Sequence, residues 1–101
     1  GPVLVLRDEM PEPYPLRKVC RVNGVIRQDA NSADMIHKVP ALVAEASRGI
    51  TLWPGDVIAT GTPAGSGLGD GLWLKPGDIV ECEIEGIGIL SNPVIADPLA
   101  A

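Results

Sequence analysis

The segment from Asp56 to Gly71 carries the densest chemistry-bearing pattern in this 101-residue chain. A predicted strand, Asp56 to Ala59, empties into Thr60-Gly61-Thr62-Pro63-Ala64-Gly65, and five glycines fall from Gly61 to Gly71. Glycine lets a ligand approach the main chain closely, and a Thr hydroxyl both donates and accepts. The stretch Thr60-Gly61-Thr62 at the mouth of this loop could therefore meet a ligand. The loop is not a phosphate-binding P-loop, because no Lys-Ser/Thr pair follows its glycines. It is not G-x-G-x-x-G either, since Asp70 stands where the third glycine is required. No helical pattern follows to supply a dipole for a pyrophosphate. The same string also reads as a mobile connection between two strands.

Three carboxylates form the second candidate. Glu81, Glu83 and Glu85 alternate with Val80, Cys82 and Ile84, so a strand puts all three on one face. An E-x-E pair can hold a hard cation through oxygen. A solvated strand face, with Val80, Cys82 and Ile84 turned to a core, accounts for the same pattern. His37 is the one histidine. With two distant cysteines it makes no zinc site, and it reads as a structural or solvent-facing imidazole. None of Ser47, Ser66 and Ser91 sits in a G-x-S-x-G context. Cys20 and Cys82 read as two free thiols in a reducing, cytoplasmic setting rather than as a bridge.

These residues need a scaffold. Val3 to Leu6 is a short apolar run that predicts a buried strand. Arg7 to Leu16, with Pro11, Pro13 and Pro15, predicts an irregular connection. Lys18 to Val22, Asn23-Gly24 and Val25 to Gln28 predict a hairpin, because Asn and Gly tolerate the positive φ of a type I′ turn. A polar stretch from Asp29 to Asp34 precedes a short turn at Met35-Ile36. Pro40 opens a helix over about 40–48, with Leu42, Val43 and Ala46 on one face and Gly49 to end it. Leu52-Trp53-Pro54-Gly55-Asp56-Val57-Ile58 and Leu74-Lys75-Pro76-Gly77-Asp78-Ile79-Val80 repeat one design. Pro followed by Gly fits a type II turn, which delivers the chain into a strand. Ile79 to Glu85 and Gly86 to Leu90 predict paired strands, and the tail from Asn92 is expected to fray. The class is α+β, predominantly β, with one short helix.

Composition excludes several functions. The net charge is −5, which disfavours a nucleic-acid partner, since phosphate binding relies on clustered Lys and Arg. No apolar run approaches the roughly 18 residues of a membrane span, and no secretory signal opens the chain. The length allows one domain at about 100–150 residues each. Aromatics make up only 3% and Phe is absent, so either the core is aliphatic or the chain packs against something beyond itself; the expectation is that it is part of a longer domain and not stable alone.

The order of the motifs resembles the fumarylacetoacetate hydrolase family, above all its bacterial 2-hydroxyhepta-2,4-diene-1,7-dioate isomerase and hydrolase-like members. The resemblance rests on Val22-Asn23-Gly24, Arg27-Gln28-Asp29, Asn31 with Asp34-Met35-Ile36, Pro54 through Gly65, Gly77-Asp78, Ile84 through Gly88 and Asn92-Pro93-Val94. It implies a mixed β-roll, with residues 1–101 as the C-terminal portion of one catalytic domain. It implies an enzyme on 2-oxo or enol carboxylates, hydrolysing C–C bonds, isomerising or decarboxylating in the catabolism of aromatic-derived acids. Mg²⁺ or Mn²⁺ is the implied cofactor, its carboxylate ligands and a nearby Lys lying before Gly1. No catalytic residue and no metal ligand is thus expected within the chain, which is not catalytic by itself. Thr62, with Gly61 beside it, is the implied substrate-binding element. The implied partners are a small 2-oxo acid, the missing N-terminal segment and a second copy in a homodimer. Ala30 departs from the usual Gly, and His37 from the usual aromatic. A non-catalytic β-rich binding or assembly module derived from the same fold is the competing expectation.

Overall fold

A computed structural model describes residues 2–10, 15–97 and 99, with the side chains of Leu68 and Asp70 excepted. Four strands make one antiparallel sheet: β1 (Arg17–Val22), β2 (Val25–Asn31), β3 (Ile79–Ile84) and β4 (Gly88–Pro93), ordered β2-β1-β3-β4. Two helices lie between β2 and β3. They are α1 (Val39–Ala46) and the four-residue α2 (Gly67–Asp70). The α+β, predominantly β class expected from the sequence is the class observed.

The β1–β2 hairpin forms where Asn23-Gly24 predicts it. Asn23 has φ 52° and Gly24 φ 76°, the two left-handed residues a type I′ turn requires. The pairing then slips. Cys20 lies opposite Gln28 and Arg21 opposite Ile26, which leaves Arg27 as the extra residue of a β-bulge. On the far side of β1, Lys18 pairs with Ile84, Cys20 with Cys82 and Val22 with Val80. One sheet face therefore carries Lys18, Cys20, Val22, Gln28, Ala30, Val80 and Cys82. The other carries Arg17, Val19, Arg21, Asp29, Glu81 and Glu83.

Both Pro-Gly-Asp strings fold as the expected turns, and their aspartates complete them. Gly55 and Gly77 have φ 100° and 95°. Asp56 Oδ2 accepts from the Trp53 amide at 2.7 Å, and Asp78 Oδ2 from the Lys75 amide at 2.9 Å. Each aspartate amide also donates back to the carbonyl that opens its turn, to Trp53 at 3.0 Å and Lys75 at 3.1 Å. The side chain and main chain thus clamp the same four residues.

Several local expectations differ from what forms. Val3 to Leu6 is no strand; Leu4 is 84% exposed and a single 3₁₀ turn follows at Arg7–Glu9. Residues 11–14 of the expected irregular connection lie outside the described residues. The short turn expected at Met35-Ile36 forms earlier, at Ser32–Asp34, because Asn31 Oδ1 caps it by accepting from the Ala33 amide at 2.8 Å. Helix α1 runs Val39–Ala46, so Pro40 is its second residue, and Leu42 and Ala46 form its half-buried stripe. The strand expected from Asp56 to Ala59 does not form, and Val57 is 91% exposed. The glycine-rich loop holds one helical turn, α2, where no helix was expected. The strand expected to end near Leu90 pairs through Pro93, which faces Ile79. The Val94 amide continues the contact to the Asp78 carbonyl at 2.8 Å.

Burial is thin. Among the described residues Val19, at 4%, is the one buried hydrophobic side chain. Trp53, Trp73, Ile36 and Leu74 are among many large apolar residues left exposed.

Candidate functional site

Thr62 is held over the sheet by a residue from β2. Gln28 Nε2 donates to Thr62 Oγ1 at 2.9 Å and to the Pro63 carbonyl at 2.9 Å. The approach of loop to strand is close. A Cβ on Gly65, whose φ is +93°, would sit 2.0 Å from the Arg27 carbonyl oxygen and 3.3 Å from Gln28 Cγ. Only glycine fits there. The bulge exposes the Arg27 carbonyl to this contact, and Gly65 closes onto it.

Thr62 is a shared wall between two cavities. One, of about 440 Å³, lies toward α1 and is lined by Lys18, Asn31, Asp34, His37, Gly61 and Thr62 among others. The second, about 730 Å³, runs toward the Pro76-Gly77 turn and touches Cys20, Arg27, Gln28, Trp73 and Lys75. Gly61 keeps φ +93° with nothing within 4 Å of a built Cβ, so its conformation, not crowding, calls for glycine. The structure thus brings the two sequence-expected binding residues, Gly61 and Thr62, to one cavity.

The smaller cavity holds groups the sequence reading did not assign. Lys18 reaches it because it shares the face of Cys20, in phase with Ala30 across the hairpin. Asp34 and His37 arrive on the segment between β2 and α1, whose fold is braced by Lys38 Nζ donating to the Ala33 carbonyl. His37 is exposed, as expected, yet stands at the same wall as Thr62. Gln28 lies inside the Arg27-Gln28-Asp29 string, but nothing local distinguishes it from any strand glutamine. The signal would have been a glutamine in phase with the loop-facing residues of β1.

The glutamates lie on the opposite face, away from Thr62. They are not simply solvated. Glu81 and Glu83 are half-buried, and Arg21 Nη1 meets Glu83 Oε2 at 2.7 Å. Arg17 grips Asp29 through Nε–Oδ1 at 2.8 Å and Nη2–Oδ2 at 2.5 Å. Hydrogen bonding to Arg17 holds the Asp29 carboxyl below the usual carboxylate range and raises the guanidinium in turn. The physical reason is register, since arginines of β1 stand among the glutamates of β3 and answer their charge. Val80 and Ile84 are half-buried and Cys82 is exposed, so the opposite side is not a closed core in this chain.

Asp78 is buried at 5% exposure and fully engaged. Asn23 Nδ2 donates to its Oδ1 at 2.9 Å while the Lys75 amide serves Oδ2. The amide of Lys75 first, then Asn23, hold its carboxyl below the ordinary value. Cys20 and Cys82 are free thiols with their sulfurs 3.9 Å apart. Burial, and then the neighbouring Cys82, push the Cys20 thiol up. Among the described residues no group of three or more His, Cys, Asp or Glu side chains is placed to hold a metal ion.

Comparison with known proteins adds independent findings. A family model described as fumarylacetoacetate (FAA) hydrolase, C-terminal, matches residues 1–95. The chain is 47% identical over 97 residues to a Xenopus laevis protein named oxaloacetate tautomerase fahd2, mitochondrial, covering 94% of this chain and 30% of that one. It superimposes on fumarylacetoacetate hydrolase from Exiguobacterium antarcticum with TM-score 0.88 and 44% identity, over 96% of this chain and 35% of that one. Maleylpyruvate hydrolase from Sphingobium sp. SYK-6, solved with manganese(II) ion and pyruvate, gives TM-score 0.85 and 36% identity, over 94% and 34%. The chain therefore spans about a third of the length of the proteins it matches.

Proposed function

Because the chain belongs to the fumarylacetoacetate hydrolase family, we propose that it is the C-terminal portion, over residues 1–101, of a catalytic domain acting on 2-oxo or enol carboxylates. The carrying observation is the Gly61-Thr62 wall held over a 440 Å³ cavity by Gln28. Two of the similar proteins support the substrate class, since oxaloacetate and pyruvate, which their names carry, are both 2-oxo carboxylates. The reaction is C–C hydrolysis, isomerisation or decarboxylation, in the catabolism of aromatic-derived acids, and the working assembly is a homodimer.

In this reading each residue has a limited task. The Thr62 hydroxyl donates to the carboxylate or oxo oxygen of the substrate. Gly61, without a side chain, lets the substrate approach the main chain. Lys18 supplies a cation at the same cavity, which favours an anionic ligand over a neutral one. The manganese of the Sphingobium structure supports a dependence on Mg²⁺ or Mn²⁺. In this reading the cation's carboxylate ligands come from the rest of the full-length protein, as the family resemblance implies, and no residue of this chain is assigned to it. Two reduced thiols suit a reducing compartment, by default the cytoplasm, although the Xenopus relative is named as mitochondrial.

The test uses the full-length protein supplied with Mn²⁺ and follows enol-to-keto conversion of oxaloacetate, alongside hydrolysis of acylpyruvates. Thr62→Val keeps the shape and removes the donor. A hydrogen bond to a charged ligand contributes about 1.5–3 kcal/mol, so kcat/KM falls ~10–100-fold. Unchanged kinetics remove Thr62 from the site, and no turnover of any 2-oxo acid leaves the non-catalytic module as the better reading.

A further inference from the structure

We infer that Gln28 is a positioning residue that fixes the Thr62 hydroxyl as a donor, so that the site selects an acceptor-only oxygen, a carboxylate or enolate, over an alcohol. The inference rests on the assignment of Thr62 to the substrate wall. It follows from which atoms can donate.

Gln28 Nε2 lies 2.9 Å from the Pro63 carbonyl oxygen. A carbonyl can only accept, so the amide end placed there must be the NH₂. Turned over, the side chain would set its own oxygen against that carbonyl. The second N–H of the same group meets Thr62 Oγ1, also at 2.9 Å. Oγ1 therefore accepts in this contact, and its single proton is left for another partner. A free threonine hydroxyl can present either a lone pair or its proton to a ligand. Here one lone pair is occupied, which biases the rotor toward donation. An oxyanion is the matched partner, because it brings lone pairs and no proton of its own. Two further features hold Gln28 in place. The bulge at Arg27 puts Gln28 on the face of Cys20, and Gly65 allows the loop to close onto that point.

The experiment measures binding of oxalate, an oxygen-only mimic of a 2-oxo acid's enolate, to the full-length Mn²⁺-loaded protein. Thr62→Val, Gln28→Met, the double variant and Gln28→Glu are compared with the parent by titration calorimetry, each checked by thermal melting. Thr62→Val and Gln28→Met each weaken oxalate ~10-fold or more. The double variant is within ~2-fold of Thr62→Val, because Gln28 acts through that hydroxyl. Gln28→Glu adds a signature that a packing role does not produce. As a carboxylate it draws the Thr62 proton inward, and as a carboxylic acid it regains a donor. Its deficit relative to the parent therefore shrinks as pH falls from ~7 to ~4, through the ordinary Glu range near ~4.3. Multiplicative losses in the double variant, or a Gln28→Glu deficit independent of pH, overturn the inference while leaving Thr62 in the site. An undiminished Thr62→Val overturns the site assignment itself. Should Gln28→Met fail to fold, the Gln28→Glu pH series decides.

Discussion

Asn23 and Asp78, 55 positions apart, lock the hairpin turn to the turn that launches β3. Asn23 Nδ2 donates to Asp78 Oδ1 at 2.9 Å, and Asn23 Oδ1 accepts from the Ile79 amide at 2.9 Å. The Asn23 amide donates to the Ile79 carbonyl at 2.9 Å as well. One residue thus meets its left-handed turn geometry and seals the end of the sheet.

This contact sets a pH dependence. The Asp78 carboxyl is held below its ordinary value by the Lys75 amide and Asn23, so the unfolded chain binds its proton first. Its contribution is present above the unfolded value of ~3.9 and is lost as pH falls through the lower folded value. Melting of the full-length protein between pH ~7 and ~3 should show that loss. Asp78→Asn should lower Tm by roughly 5–10 °C at neutral pH and flatten the acid limb. An acid limb as steep as the parent's would assign it to other carboxylates.

Gly65→Ala should be far more damaging than Gly61→Ala. Both positions have φ +93°, but only at Gly65 does a Cβ meet main chain, at 2.0 Å from the Arg27 carbonyl. Backbone strain alone costs about 1–3 kcal/mol. Gly65→Ala adds displacement of the loop from Gln28, so it should lose both stability and oxalate affinity. Gly61→Ala should show the strain cost alone in stability, and any loss of oxalate affinity there reports its place at the cavity wall rather than a displaced loop. Equal melting losses for the two would mean the loop yields at Gly65.

Cys20 and Cys82 face one another across β1 and β3, with sulfurs 3.9 Å apart. Mild diamide treatment of the full-length protein should join them within one chain, the two thiol hydrogens passing to diamide as it is reduced to the hydrazine, as peptide mapping would record. Cys20→Ser should abolish the product. Cross-linking between chains instead would show the pair is held apart in the intact domain.

Glu81→Gln with Glu83→Gln should leave Mn²⁺ affinity of the full-length protein within ~3-fold of the parent. Both carboxylates lie on the sheet face away from Thr62, and Glu83 is paired with Arg21. The stability cost of losing a half-exposed pair should be under ~1 kcal/mol. A loss of affinity beyond ~10-fold, with the fold intact, would place the cation on this strand.

What was legible in the sequence was local. Asn23-Gly24 announced its own turn through two residues that accept positive φ, and both Pro-Gly-Asp strings announced theirs. Helix α1 followed from Pro40 and the spacing of Leu42 and Ala46. Apolar runs misled where they had no partner. Val3 to Leu6 and Val57 to Ala59 carry strand-like composition, but a strand exists only where another strand accepts its hydrogen bonds. The resemblance marks Thr62 as a candidate, whereas it assigns no role to Gln28. Its role depends on a bulge in one hairpin and on a loop returning 34 positions later, neither of which leaves a local pattern.

The bulge has an arithmetical consequence. Val22 faces Val25 and Arg21 faces Ile26, so uninterrupted pairing would set Arg27 against Cys20 and Gln28 against Val19. Gln28 would then stand among the arginines and glutamates. One supernumerary residue reverses the parity of the strand beyond it. The tight turn and the Gln28–Thr62 contact make incompatible demands on odd and even positions of a single strand, and Arg27 reconciles them. Hairpin and site are thereby uncoupled in phase, and each can change its residues without inverting the other.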